Sequence, residues 1–395
     1  MKQPLLFQWS VSTLFGWGVY GLNLLRHWHK VAGTPAYSTG PLYIDSLGGS
    51  DPLTLRELAP LLVANDQVIR EREELPMGAY SPFDGVVLHS LGRRLLGSKP
   101  PNNEGLVGNS TSAVVFFEDT YLPDAQEICK QYDLIIPGST WGDEVLKANN
   151  IPNSRKVIQG IDPSIFHPAP RAGALEGRFA VFSGGKLEHR KGQDLVLLAF
   201  RAFAQRHPEA LLVTAWHSPW PACSVTVNIN PRIAPVMLAE DGTLDINRWA
   251  FANGIQEHQW LDLGAIPNHL MAKVLREMDV AIFPNRCEGG TNLVAMECMA
   301  CGLPCIVANN TGQKDLVATG TTYPLNRQGA VAVADMGTDG WGESDVEEMV
   351  ESLEKVWANR TMAASKGLTA AQAMREWSWR NQIADLHRVL LEVAP

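Results

Sequence analysis

Two short segments of the chain concentrate residues able to hold an anion. The first, Val181-Phe-Ser-Gly-Gly-Lys-Leu-Glu-His-Arg-Lys-Gly-Gln-Asp194, reads as a strand, a glycine pair and three cations, Lys186, Arg190 and Lys191, just ahead of a helix. A strand that opens through glycines onto a helix is where open α/β sheets bind ligands, because glycine admits close backbone approach and a helix N-terminus favours negative charge. Cations at that point imply a phosphate; taken alone, the segment reads equally well as a charged loop in solvent. It is not a Walker A loop, since no glycine stands five residues before Gly185-Lys186 and Leu187 replaces the hydroxyl residue, and a dinucleotide fingerprint is absent.

The second segment runs Phe283-Pro-Asn-Arg-Cys-Glu-Gly-Gly-Thr-Asn-Leu-Val-Ala-Met-Glu-Cys-Met-Ala-Cys-Gly-Leu-Pro304. A strand ends at Pro284, Gly289-Gly290 turns the chain, and Thr291 or Asn292 caps a helix that Gly302 terminates. The free N–H groups at its start, from Gly290 through Leu293, form a second anion site. Glu288 lies before the helix and Glu297 about a turn and a half inside it, so their carboxylates can accept bonds from hydroxyls on either side of a bound diphosphate. The intervening Met, Ala and Cys positions read as core.

The elements that must position these segments are those of a doubly wound α/β protein. Short apolar runs alternate with amphipathic helical patterns throughout, the signature of parallel sheets built from βαβ units. Strands are expected at Leu5–Val11, Gly85–Leu88, Ala113–Phe117 and Leu134–Ile136, with a helix over Val19–Trp28. After a linker rich in Pro and Gly between Gly160 and Gly173, the rhythm restarts with strands Arg178–Ser183, Leu211–Ala215, Val280–Pro284 and Pro304–Val307 and a helix Gln193–Gln205. Asn228–Asn253 is less periodic and reads only as an excursion. The tail from Val346 is helical, with Trp377, Trp379, Ile383, Leu386, Val389 and Leu390 on one face.

At 395 residues the chain exceeds what one core organises, and 45% hydrophobic with 19% charged residues is ordinary for a globular α/β protein. The net charge of −9 argues against nucleic-acid binding, so any anion site is local. No apolar run, among them Leu195–Phe200 and Ala330–Ala334, approaches membrane-spanning length. The N-terminal run carries polar Gln8 and Ser10 and lacks a cleavage site, so a buried strand is expected over a signal peptide, and the location cytoplasmic. Cys287, Cys298, Cys301 and Cys305 lack the second pair or histidines of a metal site and read as buried thiols.

Together the two segments resemble the donor site of retaining family-4 glycosyltransferases, glycosyl transferases group 1, of GT-B fold. The family's glycine, basic residue and later Lys-Gly correspond to Gly185, Lys186, Lys191 and Gly192, and its Glu-x-Met-Ala-Cys-Gly-x-Pro ending to Glu297 through Pro304. The resemblance implies two Rossmann-like domains facing across a cleft: an acceptor-side domain over 1–168, a nucleotide-sugar-binding domain over 175–375, and a last helix over 376–395 returning to the first domain. It implies that Lys186 and Lys191, with Arg190 beside them, neutralise the donor diphosphate; that Gly185, Gly289, Gly290, Thr291, Asn292 and Leu293 line it; and that Glu297 binds the ribose. The family separates its two glutamates by seven residues, whereas eight lie between Glu288 and Glu297, so a sugar-binding Glu288 requires a one-residue bulge in the turn. Trp260–Pro267 resembles the strand and loop beside the base.

In the first domain Gly16-Trp-Gly18 resembles the loop facing the donor phosphates, against a plain tight turn. Relatives carry a His-Asp pair after a central strand where this chain has Glu118 and Asp119, which either contact the transferred sugar or orient the acceptor hydroxyl, against a plain helix-capping Asp. His89 is a further site candidate against a structural histidine. The implied reaction is metal-independent and cofactor-free: a hexose-type sugar moves with retention from a nucleoside diphosphate sugar to a hydroxyl acceptor, a glycan, lipid-linked glycan, protein or small molecule. Same-face attack assisted by the donor phosphate and domain closure are its expected features. Acceptor choice falls to loops Ala36–Pro52 and Ser98–Ser112, and peripheral membrane association stays open. A GT-B sugar-nucleotide epimerase or phosphorylase and a non-catalytic sugar-nucleotide-binding relative are the alternatives.

Overall fold

The computed structural model describes residues 3–74, 81–92, 105–333 and 336–393, so residues 98–104 of the expected acceptor loop and residue 334 of the run Ala330–Ala334 lie outside the described residues. Two compact units emerge, one holding the chain to Gly160, Pro267–His269 and Trp377 onward, the other Ile161–Ile266 and Leu270–Glu376.

The first unit contains β1 (Leu5–Phe7), α1 (Gly16–Ala32), β2 (Ala36–Ser38), α2 (Pro52–Glu73), β3 (Ser81–Leu91), β4 (Leu106–Val115), α3 (Ala125–Cys129), β5 (Leu134–Pro137) and α4 (Thr140–Ala148). Its parallel sheet has the order β2-β1-β3-β4-β5, with Leu5, Leu6 and Phe7 paired on both sides and fully buried. The N-terminal apolar run is therefore a central strand, and it ends at Phe7 rather than Val11. The order reverses between β1 and β3, which is where flavodoxin-like sheets open toward a ligand. Asp51 caps α2 by accepting from Leu53 and Thr54 N–H, with Pro52 pre-set in the first turn.

The second unit contains β6 (Phe179–Gly184), α5 (Gln193–Ala204), β7 (Ala210–Ala215), α6 (Ile246–Ala252), β8 (Trp260–Asp262), α7 (Met271–Glu277), β9 (Val280–Phe283), α8 (Leu293–Ala300), β10 (Cys305–Ala308), α9 (Lys314–Val317), β11 (Tyr323–Leu325), β12 (Gln328–Ala330), β13 (Gly342–Ser344), α10 (Val346–Ala358) and α11 (Arg360–Arg375). Its parallel sheet runs β11-β10-β9-β6-β7-β8, and β12 and β13 form a separate antiparallel ribbon. This is the dinucleotide-fold order, reversing between β6 and β9. The two segments singled out from the sequence leave the carboxyl ends of those two strands.

The helix α12 (Trp379–Leu390) packs on α1 through the face read from the tail: Trp379, Ile383, Leu386, Val389 and Leu390 are buried, and the Trp379 indole stacks on Tyr20 of α1 at 5.3 Å. Trp377 stays half-buried. The exchange between units falls at Gly160, eight residues before the expected residue 168. Arg276 donates to the Ile165 and His167 carbonyls at 2.7 and 2.9 Å, and Arg171 to the Met278 carbonyl and Asp279, which ties the linker to the second unit.

Candidate functional site

Both loops at the β6/β9 reversal depend on backbone conformations that only particular residues hold. Gly185 (φ +107°) and Gly192 (φ +72°) lie in the left-handed region. A Cβ on Gly192 would come within 2.5 Å of the Pro284 carbonyl, so the start of α5 and the end of β9 touch backbone to backbone there. Between the glycines the 3-10 turn His189–Lys191 carries two of the three cations, Arg190 and Lys191, and Lys186 precedes it. Gln193 holds the loop by donating to the Gly185 and Lys186 carbonyls at 3.1 and 2.9 Å.

The second loop is laid against the first. The N–H of Arg286 donates to the Arg190 carbonyl at 2.7 Å. The Arg286 guanidinium, enclosed at 0% exposure, donates to both Asp194 oxygens at 2.8 and 2.7 Å, to the His189 carbonyl at 2.7 Å and to Glu343 of β13 at 2.8 Å. Asn230, in the excursion that the sequence left unplaced, also donates to Asp194 at 2.7 Å, and Thr226, just ahead of that stretch, accepts the His189 N–H. Burial alone would raise the Asp194 carboxyl, but the Arg286 charge outweighs it and the pKa lies below the ordinary 3.8.

Three cations and two carboxylates meet in the resulting pocket of charge. Lys186 pairs with Glu188 at 3.1 Å, and Arg190 bridges Glu188 at 2.7 Å and Glu288 at 3.1 Å. Lys191 pairs with Glu288, which also accepts from the Asn285 amide. Burial pushes the Glu288 carboxyl up, yet Lys191 and Arg190 together hold it below the ordinary 4.5. The Glu288 N–H donates to the Thr311 hydroxyl at 2.9 Å and its carbonyl accepts from Gly312 N–H at 2.9 Å, so its backbone is fixed too.

Of the two possible caps, Asn292 is the one used: its side chain accepts from Ala295 N–H at 3.3 Å, while its own backbone is left-handed at φ +69°. Gly289, Gly290 and Thr291 are buried just before it, and the first amides of α8, those of Leu293 and Val294, have no acceptor inside the helix. Glu297 is buried in the second turn of α8. Cys287, Cys298, Cys301 and Cys305 are buried free thiols, and burial pushes that of Cys301 to about 12.

The second unit thus brings Lys186, Arg190, Lys191 and Glu288 into contact, with Gly185 and the Gly289–Asn292 turn on the same two loops. Glu188, Gln193, Asp194, Asn285 and Arg286 escaped the sequence reading. An arginine directly after the apolar strand that ends at Pro284 was the one signal available for the last.

In the first unit Gly16-Trp-Gly18, expected as a loop or tight turn ahead of the helix, is the first turn of α1, and the Trp17 ring meets Phe116 edge-on at 4.7 Å, beside the segment carrying Glu118 and Asp119. Gly18 is required by packing, since a Cβ there would lie 2.5 Å from that of Ser12, whereas a Cβ on Gly16 would meet nothing within 4 Å. Asp119 is buried and accepts the Tyr121 N–H at 3.1 Å, a turn contact and not the expected helix cap, since Asp124 stands at the cap of α3; Glu118 is half-buried. His89 lies inside β3 rather than after it, with its ring nitrogens 3.2 Å from the Tyr132 hydroxyl and 3.0 Å from the Leu106 carbonyl. Burial lowers its pKa, as for a structural histidine.

Two parallel α/β units, one of them in dinucleotide-fold order, share the GT-B fold of the solved structures that match below. Residues 169–333 match the model of the family Glycosyl transferases group 1, so the chain carries a glycosyl transferases group 1 segment. A GDP-mannose-dependent alpha-(1-6)-phosphatidylinositol monomannoside mannosyltransferase of Mycolicibacterium smegmatis is 25% identical over 245 residues, 58% of this chain and 54% of that protein. The chain therefore aligns with about half the length of that relative. Among solved structures, sucrose-phosphate synthase from Thermosynechococcus elongatus matches with TM-score 0.63 at 15% identity, covering 99% of this chain and 98% of that one. Anabaena HepE in complex with UDP matches with TM-score 0.58 at 13% identity, covering 98% and 99%. Likenesses at that identity establish the shared fold. No helix among the described residues is long and apolar enough to cross a membrane.

Proposed function

We propose that the protein is a glycosyltransferase that moves a hexose-type sugar from a nucleoside diphosphate sugar to a hydroxyl acceptor. The observation that carries this reading is the convergence of Lys186, Arg190 and Lys191 with the start of α8 at the β6/β9 reversal. Glycosyl transfer needs the departing diphosphate stabilised while positive charge grows at the anomeric carbon, so fixed cations and helix amides are the largest catalytic contribution. These groups supply that charge without a metal or other cofactor. The Glu297 carboxylate binds the ribose, and Gly16, Glu118 and Asp119 serve the sugar and acceptor side.

Retention of anomeric configuration follows from the family resemblance: same-face attack, with the donor phosphate receiving the acceptor proton, requires no protein nucleophile. The two-carboxylate scheme of glycosidases does not apply to Glu288 and Glu297, because Glu288 is spent on Lys191 and Arg190. The relatives use or bind different nucleotides, GDP-mannose in one case and UDP in another, so the test is a panel of both classes. Nucleoside diphosphate release is measured with and without glycan or polyol acceptors, and the product's anomeric proton is read by NMR. Acceptor-dependent release with a retained anomer is expected. Conversion of the donor without acceptor would indicate an epimerase, and donor binding with no turnover on any acceptor a non-catalytic protein.

A further inference from the structure

Glu288 is placed to do something other than hold a sugar. Its Oε1 accepts from Lys191 and Asn285 and its Oε2 from Arg190, so about three of its roughly four acceptor positions are occupied. Its side chain is 8% exposed, and those of Arg190 and Lys191 are 11% and 15% exposed, so little water is present to screen the group. Glu188 sits on the other side, pairing with Arg190 and Lys186. Three cations face two carboxylates, so the cluster carries one excess positive charge, which suits an anionic ligand. Long basic side chains left unpaired in a buried site would be costly, and would adopt many rotamers before a ligand arrived.

We propose that Glu288 is the built-in counter-ion of the diphosphate site: it holds Lys191 and Arg190 in place while the site is empty, and hands them over to the incoming diphosphate. The inference rests on the donor-site reading above. In this role Glu288 is a positioning residue. It sets how tightly any diphosphate binds, through the charge that the ligand must displace, and it leaves recognition of the sugar to other groups. A site with two internal carboxylates releases its nucleoside diphosphate product more readily than one with bare cations.

The test is calorimetric binding of inorganic pyrophosphate, of UDP and GDP, and of their sugar conjugates to the full-length protein and to Glu288→Gln, each at low and moderate salt. The variant should bind pyrophosphate and the nucleoside diphosphate about three- to tenfold more tightly, as for loss of one competing charge pair. Its affinity should also fall more steeply with salt, because one more cation is then available to the ligand. The sugar conjugate should gain by the same factor. Unchanged pyrophosphate affinity with a loss confined to the sugar conjugate would overturn the proposal in favour of a sugar ligand. Weaker binding of every ligand by a folded variant would overturn it as well. Glu288→Asp, which keeps the charge but shortens its reach, gives the same readout with a smaller gain if the Gln variant does not fold. A wild-type protein that binds neither pyrophosphate nor any nucleoside diphosphate would overturn the donor-site reading itself, a result distinct from a wild type that binds both and a variant that gains nothing.

Discussion

Replacing Arg286 with Met removes the group that ties the two binding loops together. The guanidinium is fully enclosed and makes a two-point contact with Asp194, which is itself 0% exposed. Without it the Asp194 carboxylate stays buried with Asn230 as its remaining polar partner named above. Removing one member of such a pair costs about 3–5 kcal/mol, because the other charge is left uncompensated. The double variant Asp194→Asn with Arg286→Met leaves no enclosed charge uncompensated, since Glu343, the other carboxylate on Arg286, reaches solvent, and should recover about 2 kcal/mol of that loss. Denaturant unfolding of the full chain, followed by the fluorescence of the buried Trp216, Trp249 and Trp260 of the second unit's core, reads both quantities. A single variant that loses less than about 1 kcal/mol, or a double variant whose losses simply add, would refute the claim that this pair organises the site.

Three further outcomes follow from the same geometry. Burial, followed by the Arg286 charge, pushes the His189 imidazole from the ordinary 6.5 down to about 4; the folded protein then binds fewer protons than the unfolded chain in that window, so its contribution is complete above pH 6.5 and falls by about 2–3 kcal/mol as the pH drops to 4. His189→Asn should flatten that slope in pH-dependent unfolding curves, and an unchanged slope would assign it elsewhere. Gly192→Ala places a Cβ against the Pro284 carbonyl in a left-handed conformation and should lower the melting temperature and diphosphate affinity together. Gly18→Ala should destabilise the first unit through its contact with Ser12, whereas Gly16→Ala, which meets open space, should leave stability near wild type; equal losses would contradict the packing described.

The sequence carried the strands and the site's cationic half because each depends on local rules: apolar runs between breakers, and glycines ahead of clustered Lys and Arg. The sheet orders, and with them the placing of both loops at the β6/β9 reversal, were legible only through the family resemblance, since pairing between strands a hundred residues apart leaves no local trace. The Asp194–Arg286 pair escaped for the same reason, as did the contribution of Asn230 from a stretch with no periodicity. Glu288 was placed correctly before α8, but its partners are on another loop, and no spacing rule foretells that its carboxylate turns to Lys191 and Arg190. Asn292 in the left-handed region was likewise not legible from its spacing.

The central claim, that this cluster holds a nucleoside diphosphate, is tested most directly by comparing the wild type with Lys191→Ala in calorimetric titrations with UDP and GDP. A charge-assisted bond of about 1.5–3 kcal/mol is lost, so the account predicts that the folded variant binds its nucleotide about 10- to 100-fold more weakly. A Lys191→Ala protein with unaltered melting temperature and wild-type nucleotide affinity would contradict it.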